Sequence, residues 1–207
     1  MEDPIAAAEA LVVTQKRELL EIFTELEGKN NYEIRDDHGR AVLYAGEANR
    51  GVLAFILRSW LKAARPFTLA VANPAGERYL TVRRPWRFYF YRLEVSDGAG
   101  APLGVVRRRF KILGRRYTID GADGQSIAEL HGPLIRPWTF KLIVGDREVG
   151  AIRKRWSGIL KEAFTDADNF GVEFADATLP VVLRRLVLAA TFLIDFVHFE
   201  ARTTRRD

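Results

Sequence analysis

The stretch Asp166–Ala177, DADNFGVEFADA, opens with the residue types of a calcium loop. Asp166 and Asp168 stand two apart, and Gly171 fills the sixth place. An EF-hand loop draws oxygen ligands from positions 1, 3, 5, 7, 9 and 12 and closes with a bidentate Glu. In this chain the fifth and ninth places are Phe170 and Phe174, and the seventh is Val172, which offers only its carbonyl. The twelfth is Ala177, with Asp176 one place early. Ca2+ usually takes six to eight oxygens, so the expected affinity is weak, completed by Glu173, Asp176 or water. The same residues also read as an Asp-Asn turn with Gly171 in a left-handed conformation. A strand would follow, with Phe170, Val172 and Phe174 alternating inward.

Acid–base and nucleophilic chemistry find little to work with. His38 lies in a turn, His131 precedes Gly132-Pro133, and His198 stands near the end of an apolar segment, where it reads as a polar partner for Asp195 or Glu200. There is no HxxH, HExxH or GxSxG motif and no glycine-rich phosphate loop. An enzyme is not expected. Cysteine is absent, which excludes disulfides, thiolate metal sites, a cysteine nucleophile and S-acylation, and fits a reducing compartment.

Arginine recurs beside aromatic rings: RPF (65–67), RRPWRFYFYR (83–92), RRRF (107–110), RRY (115–117), IRPWTF (135–140) and KRW (154–156). The net charge is +5 and the pI about 9.6. Three readings follow. A cationic face could meet an anionic membrane, with Trp86, Phe88, Tyr89, Phe90 and Trp138 at the headgroup level. It could instead hold nucleic acid, with rings stacking on bases. Or the pattern is strand alternation, rings inward and arginines outward. Tandem arginines strain the last reading, because one of each pair must point the other way. The expected lipid or anion contacts are Arg83, Arg84, Trp86, Arg87, Arg107, Arg108 and Arg109.

These residues need a scaffold, and the chain of 207 residues reads as one domain without low-complexity tracts. The N-terminal residues 1–13 read as a flexible lead into a short amphipathic helix, TQKRELLEIFTELEG, stopped at Gly28. From residue 31 the apolar period shifts towards two, with turn signals at DDHG, NPAG, DGAG, DGADG and GDRE. That is a string of hairpins and implies a sandwich or closed barrel. GVLAFILRSWLKAA (51–64) interrupts it as a short helix or crossing segment. LPVVLRRLVLAATFLIDFVHFE (179–200) then reads as a helix that is apolar nearly all round, with Leu186, Ala190 and Leu193 on it. Such a helix is buried in protein or sits in a membrane. Its apolar run, Leu186 to Ile194, is short of the roughly 20 residues a span needs, and Asp195 would cost about 2.5–3.5 kcal/mol at the bilayer centre. Residues 201–207 form a basic tail.

TQKRELLEIFTELEGKNNYEIRD, RPFTLAV, the RRP after it, RKRWSGILKEAFTDADNFGVEF and FLIDFVHFE together resemble the phospholipid scramblase family, grouped with tubby C-terminal-like and LURP-one-related proteins. The match covers about residues 14–200. The resemblance implies a mainly β fold, a closed antiparallel barrel of about twelve strands around a central hydrophobic C-terminal helix carrying Leu186, Ala190, Leu193 and Asp195. It implies a calcium segment at Asp166, Asp168, Phe170, Val172, Phe174 and the twelfth position, and calcium-stimulated, ATP-independent movement of phospholipid between leaflets. Two departures stand out. The palmitoylated cysteine run of eukaryotic members is replaced by WRFYFY, and the closing acid of the calcium segment is Ala177. The alanine- and arginine-rich composition suggests a bacterial chain. The expectation is a cytoplasmic, peripheral protein on anionic phospholipid membranes, with nucleic acid as the rival partner.

Overall fold

The computed structural model describes residues 3–16, 31–47, 66–85, 91–110, 113–133, 135, 138–154 and 169–197. They form twelve strands and one helix: β1 (Ala10–Lys16), β2 (Asn31–Asp36), β3 (Ala41–Glu47), β4 (Phe67–Ala72), β5 (Arg78–Arg84), β6 (Arg92–Asp97), β7 (Pro102–Arg109), β8 (Arg115–Gly121), β9 (Ser126–Gly132), β10 (Thr139–Val144), β11 (Arg147–Lys154), β12 (Asn169–Phe174) and α1 (Val181–Asp195). Each strand pairs antiparallel with its chain neighbours, and β1 pairs with both β2 and β12, so the sheet closes into the expected barrel. Closure removes every sheet edge.

The hairpin turns follow from a repeated local chemistry. Asp36, Asn73 and Asp97 each accept backbone N–H bonds from residues two and four places on. Three residues after each stands a left-handed glycine, Gly39 (φ 77°), Gly76 (82°) or Gly100 (92°), whose N–H returns to the carbonyl of the first residue. The short polar side chain holds the turn open from within, and glycine alone takes the left-handed place without strain. A register shift sits beside each of these turns, between Ile34 and Arg35, Val71 and Ala72, and Val95 and Ser96. Such bulges sharpen the twist that barrel closure requires.

Alternation then sorts the side chains. On β5, Leu80 and Val82 are buried while Thr81 and Arg83 look outward. The outer face carries cross-strand ion pairs, Arg116–Glu129, Lys141–Glu148 and Arg153–Glu173. Apolar-in and polar-out is the reverse of a lipid-spanning barrel. The interior is filled by α1, which is buried on every face from Leu186 to Asp195. Its contacts reach around the ring: Phe192 lies against Tyr32 of β2 (ring centroids 5.0 Å apart), Phe196 stacks on Phe67 of β4 (4.1 Å), and Arg184 lies over Phe174 of β12 (4.7 Å). Leu186, Ala190 and Leu193 are wholly enclosed. Among the described residues no helix is long and apolar enough to cross a membrane.

The expectation for the N-terminus fails. Residues 1–13 are not a flexible lead into a helix, because Ile5 and Ala8 are buried and Ala10–Lys16 is the strand that closes the barrel. The alanine-rich run has helical propensity, but pairing on both edges and burial of Leu11 and Val13 override it. Thr14–Lys16 accordingly end a strand rather than begin a helix. The rest of that expected helix, the 51–64 segment and the 201–207 tail lie outside the described residues.

Candidate functional site

An up-and-down barrel has two rims, and this sequence gives them different characters. One rim carries the tight turns and the start of α1. There Asp36, Asp97, Asp123, Asp146 and Asp176 stand among the arginines Arg40, Arg78 and Arg147, two of which pair with them. The other rim receives the ends of β1, β3, β5, β7, β9 and β11 and the C-terminal end of α1. Arg83, Arg84, Arg109, Arg115, Arg116 and Lys154 sit at or next to these strand ends.

The arginine pairs split between faces, as alternation requires. Arg83 is exposed. Arg84 is turned in, only 5% exposed, with its guanidinium 4.5 Å from the Tyr91 ring centroid and 5.8 Å from that of Phe67. Since Phe67 stacks on Phe196, Arg84 sits close above the C-terminal end of the helix, where the helix dipole presents its negative end. Arg84 is therefore an interior cation set against the negative end of the helix, not a surface contact. On β7, Arg107 pairs with the buried Asp120 at 3.0 Å. Arg108 lies 5.7 Å from the Tyr91 ring, and Arg109 Nε donates to Thr118 Oγ1 at 3.2 Å. Arg83, Arg108 and Arg109 thus remain at the basic rim, and Trp86 and Arg87 lie outside the described residues.

Beside these cations stand large apolar side chains in the open: Phe110 and Leu113 on the β7–β8 connection, Ile135 and Trp138 on the β9–β10 connection. Phe110 and Trp138 belong to the aromatic–arginine motifs. Ile135 opens the IRPWTF motif, and the one sequence signal of Leu113 is an apolar residue standing between two strands rather than within one.

The calcium reading meets a geometric obstacle. Phe170, Val172 and Phe174 lie in β12, an extended strand paired on both edges, with their side chains in the core. At about 3.3 Å per residue these positions spread over roughly 13 Å, whereas Ca2+ ligands converge at 2.3–2.6 Å. Asp176 lies beyond the strand, and its carboxylate accepts the Thr178 N–H (2.9 Å) and hydroxyl (2.5 Å), with Arg147 at 3.6 Å. No group of three or more His, Asp or Glu side chains suited to a metal occurs among the described residues. The described part of the segment does not fit a wrapping loop. Asp166 and Asp168 lie outside the described residues. Next to them in sequence, Asn169 Oδ1 and its register partner's hydroxyl, Thr14 Oγ1, are buried without a hydrogen-bond partner among the described residues.

His131 Nε2 lies 2.6 Å from Glu129, whose carboxyl is held below the usual range first by the Arg116 hydrogen bond. His38 is exposed beside Asp37 at 3.9 Å. Neither has a nucleophile in attendance, and His198 lies outside the described residues. Asp195 instead accepts a 2.9 Å hydrogen bond from Tyr32.

A sequence model of the Scramblase family matches residues 2–201. The chain is 31% identical to Phospholipid scramblase 2 of Homo sapiens over 210 residues, covering 95% of this chain and 69% of that one. It is 34% identical to Phospholipid scramblase 1 of Mus musculus, covering 95% and 62%. It is 29% identical to Phospholipid scramblase family member 5 of Homo sapiens, covering 95% and 76%. This chain thus spans less than two thirds of the mouse protein and somewhat more of the two human ones. The match runs over nearly the whole length, and the chain belongs to the scramblase family.

Proposed function

We propose that this chain binds anionic phospholipid membranes from one side, docking with its basic rim, and moves phospholipid between leaflets without ATP by perturbing the bilayer rather than by spanning it. The observation that carries the reading is the polarity of the barrel. Arg83, Arg108, Arg109 and Arg115 gather at the rim above the helix C-terminus, while Asp36, Asp97 and Asp146 stand among arginines at the other. Each basic residue near an anionic surface contributes about 1 kcal/mol of attraction, and the mixed charges of the other rim attract less, so the field both attracts and orients the domain. The names of the relatives support phospholipid as the partner. The enclosed α1 supports docking over spanning, since exposing it to lipid would unmake the core. A cytoplasmic location fits a chain without cysteine.

In this reading calcium is a weak ligand of Asp166 and Asp168, with Asn169 and Thr14 supplying the neighbouring described oxygens. Nucleic acid would meet the same cations, so the test includes it as a competitor. Flotation with phosphatidylserine-containing and pure phosphatidylcholine vesicles at low and high salt should show salt-sensitive binding to the former alone. Stronger retention by duplex DNA than by anionic vesicles would transfer the basic rim to nucleic acid. Dithionite quenching of an inner-leaflet fluorescent lipid should accelerate on adding protein without ATP.

A further inference from the structure

We infer that Phe110, Leu113, Ile135 and Trp138 form an apolar tip that inserts into the interfacial layer of the membrane, fixing a tilted pose in which the β7–β10 quarter of the basic rim enters first. The inference rests on the membrane-docking reading and deepens it, from a charged rim to a specific inserting patch.

Most large apolar side chains among the described residues are enclosed, which makes the exceptions informative. Phe110 is 86% exposed, Leu113 71%, Ile135 94% and Trp138 42%. Only Val182 joins them among the described residues, and it stands at the opposite rim. A contiguous exposed apolar patch ringed by charge marks an interaction surface. The two connections that carry these side chains touch at their bases. Arg115 and Arg116 of β8 pair with Gly132 and His131 of β9. A Cβ placed on Gly114 would lie 2.9 Å from the Gly132 carbonyl oxygen and 3.9 Å from the Pro133 Cα. That closeness, with Gly114 left-handed at φ 97°, makes glycine the residue that lets the connections abut. The two connections therefore rise side by side and carry the four exposed apolar side chains between β7 and β10.

The surround of that area decides the occupant. Arg109 is held on Thr118, Arg115 over the Phe140 ring at 5.6 Å, and Lys154 over the Phe170 ring at 5.2 Å. The Lys154 N–H also donates to the Trp138 carbonyl at 2.8 Å, which fixes the tryptophan beside the cation. Glu129, a carboxylate of this quarter, is taken up by Arg116 and His131. Apolar side chains encircled by fixed cations match an anionic lipid surface, where rings and aliphatic groups enter the headgroup–acyl boundary while the cations meet phosphate. A second copy meeting this patch face to face would oppose two basic rims and repel.

The absence of cysteine permits a clean test. Single cysteines replacing Phe110 or Ile135, and reference cysteines replacing Ala75 or Ala99 in the opposite turns, are labelled with the environment-sensitive dye NBD. With phosphatidylserine-containing vesicles the dye at 110 and 135 should shift to the blue and be quenched by brominated lipid, while the dye at 75 and 99 should not change. The unlabelled double variant Phe110→Ser/Ile135→Ser should bind those vesicles about tenfold more weakly at high salt, with unaltered thermal unfolding. Protein that sediments with vesicles while the dye at 110 and 135 stays in water would overturn the insertion and leave the membrane reading standing. Protein that stays in the supernatant would overturn both. A blue shift that grows with protein concentration in the absence of vesicles would assign the patch to a second copy and overturn the inference.

Discussion

Tyr32 of β2 donates a 2.9 Å hydrogen bond to Asp195 at the last turn of α1, and both residues are buried. This pair turns the acid that would be costly in a membrane into an anchor between helix and barrel wall. Losing one intramolecular hydrogen bond costs about 0.5–1.5 kcal/mol net, so Tyr32→Phe should lower unfolding free energy by that amount in urea denaturation. The loss should be smaller when Asp195 is already Ala, the double-mutant signature of a direct contact. Unchanged stability in Tyr32→Phe would remove the anchor from the account.

Deleting residues 1–13 should prevent folding, because it takes away most of β1 and opens both β1–β2 and β1–β12. Near-ultraviolet circular dichroism of the truncated chain should show lost tertiary packing. A truncated chain with a native spectrum and cooperative melting would mean that the N-terminus is as dispensable as its composition suggests.

Two glycines should respond differently to alanine. A Cβ at Gly150 would fall 2.2 Å from the Glu173 carbonyl oxygen, a contact with backbone that cannot move aside within a paired ladder. Gly150→Ala should cost about 1–3 kcal/mol or more. Gly39 meets nothing within 4 Å, and only its left-handed φ of 77° resists substitution, so Gly39→Ala should cost about 1 kcal/mol. Denaturant midpoints of the two variants check the order.

Much of this was legible beforehand, for local reasons. The turns could be read because an Asx side chain and a glycine three places later specify them without help from the rest of the fold. α1 could be read because a helix enclosed by a barrel must be apolar all round. β1 could not, since the strand owes its conformation to partners at both ends of the chain. Nor could Tyr32 be matched to Asp195, 163 residues away. At the rim, the tandem Arg83-Arg84 signalled a split between faces, but which one turns in depends on Tyr91 and Phe67. Leu113 and Ile135 gain meaning only when barrel closure brings their two connections together.

Acid should weaken the fold through Asp36. Burial works to raise its pKa, but hydrogen bonds from the Arg40 side chain and from the Arg40 and His38 backbone outweigh it and hold the carboxyl below its ordinary range. A carboxyl depressed in the folded state stabilises above the unfolded value of about 3.9 and loses that contribution as pH falls through the folded value. Stability measured from pH 6 downwards, across about pH 4, should therefore decline less steeply in Asp36→Asn than in the unmodified chain. Identical slopes would show that Asp36 carries no linked proton.

Calcium should raise the melting temperature little, and no more than magnesium does at equal concentration, because the stretch beyond Asp168 is strand rather than loop. A ligand at a hundred times its Kd would stabilise by about 2.7 kcal/mol. A calcium-specific rise of that size, lost in Asp166→Asn/Asp168→Asn, would establish a tight site.

Charge reversal on the two rims tests most directly whether the basic rim faces an anionic membrane. Arg83→Glu/Arg109→Glu changes exposed cations at one rim, and Glu77→Lys/Asp146→Lys changes exposed acids at the other. In sedimentation with phosphatidylserine-containing vesicles at low salt, the first variant should bind at least about tenfold more weakly than the unmodified chain, and the second as tightly or more so. Equal loss in both variants, or loss in the second alone, would contradict the claim.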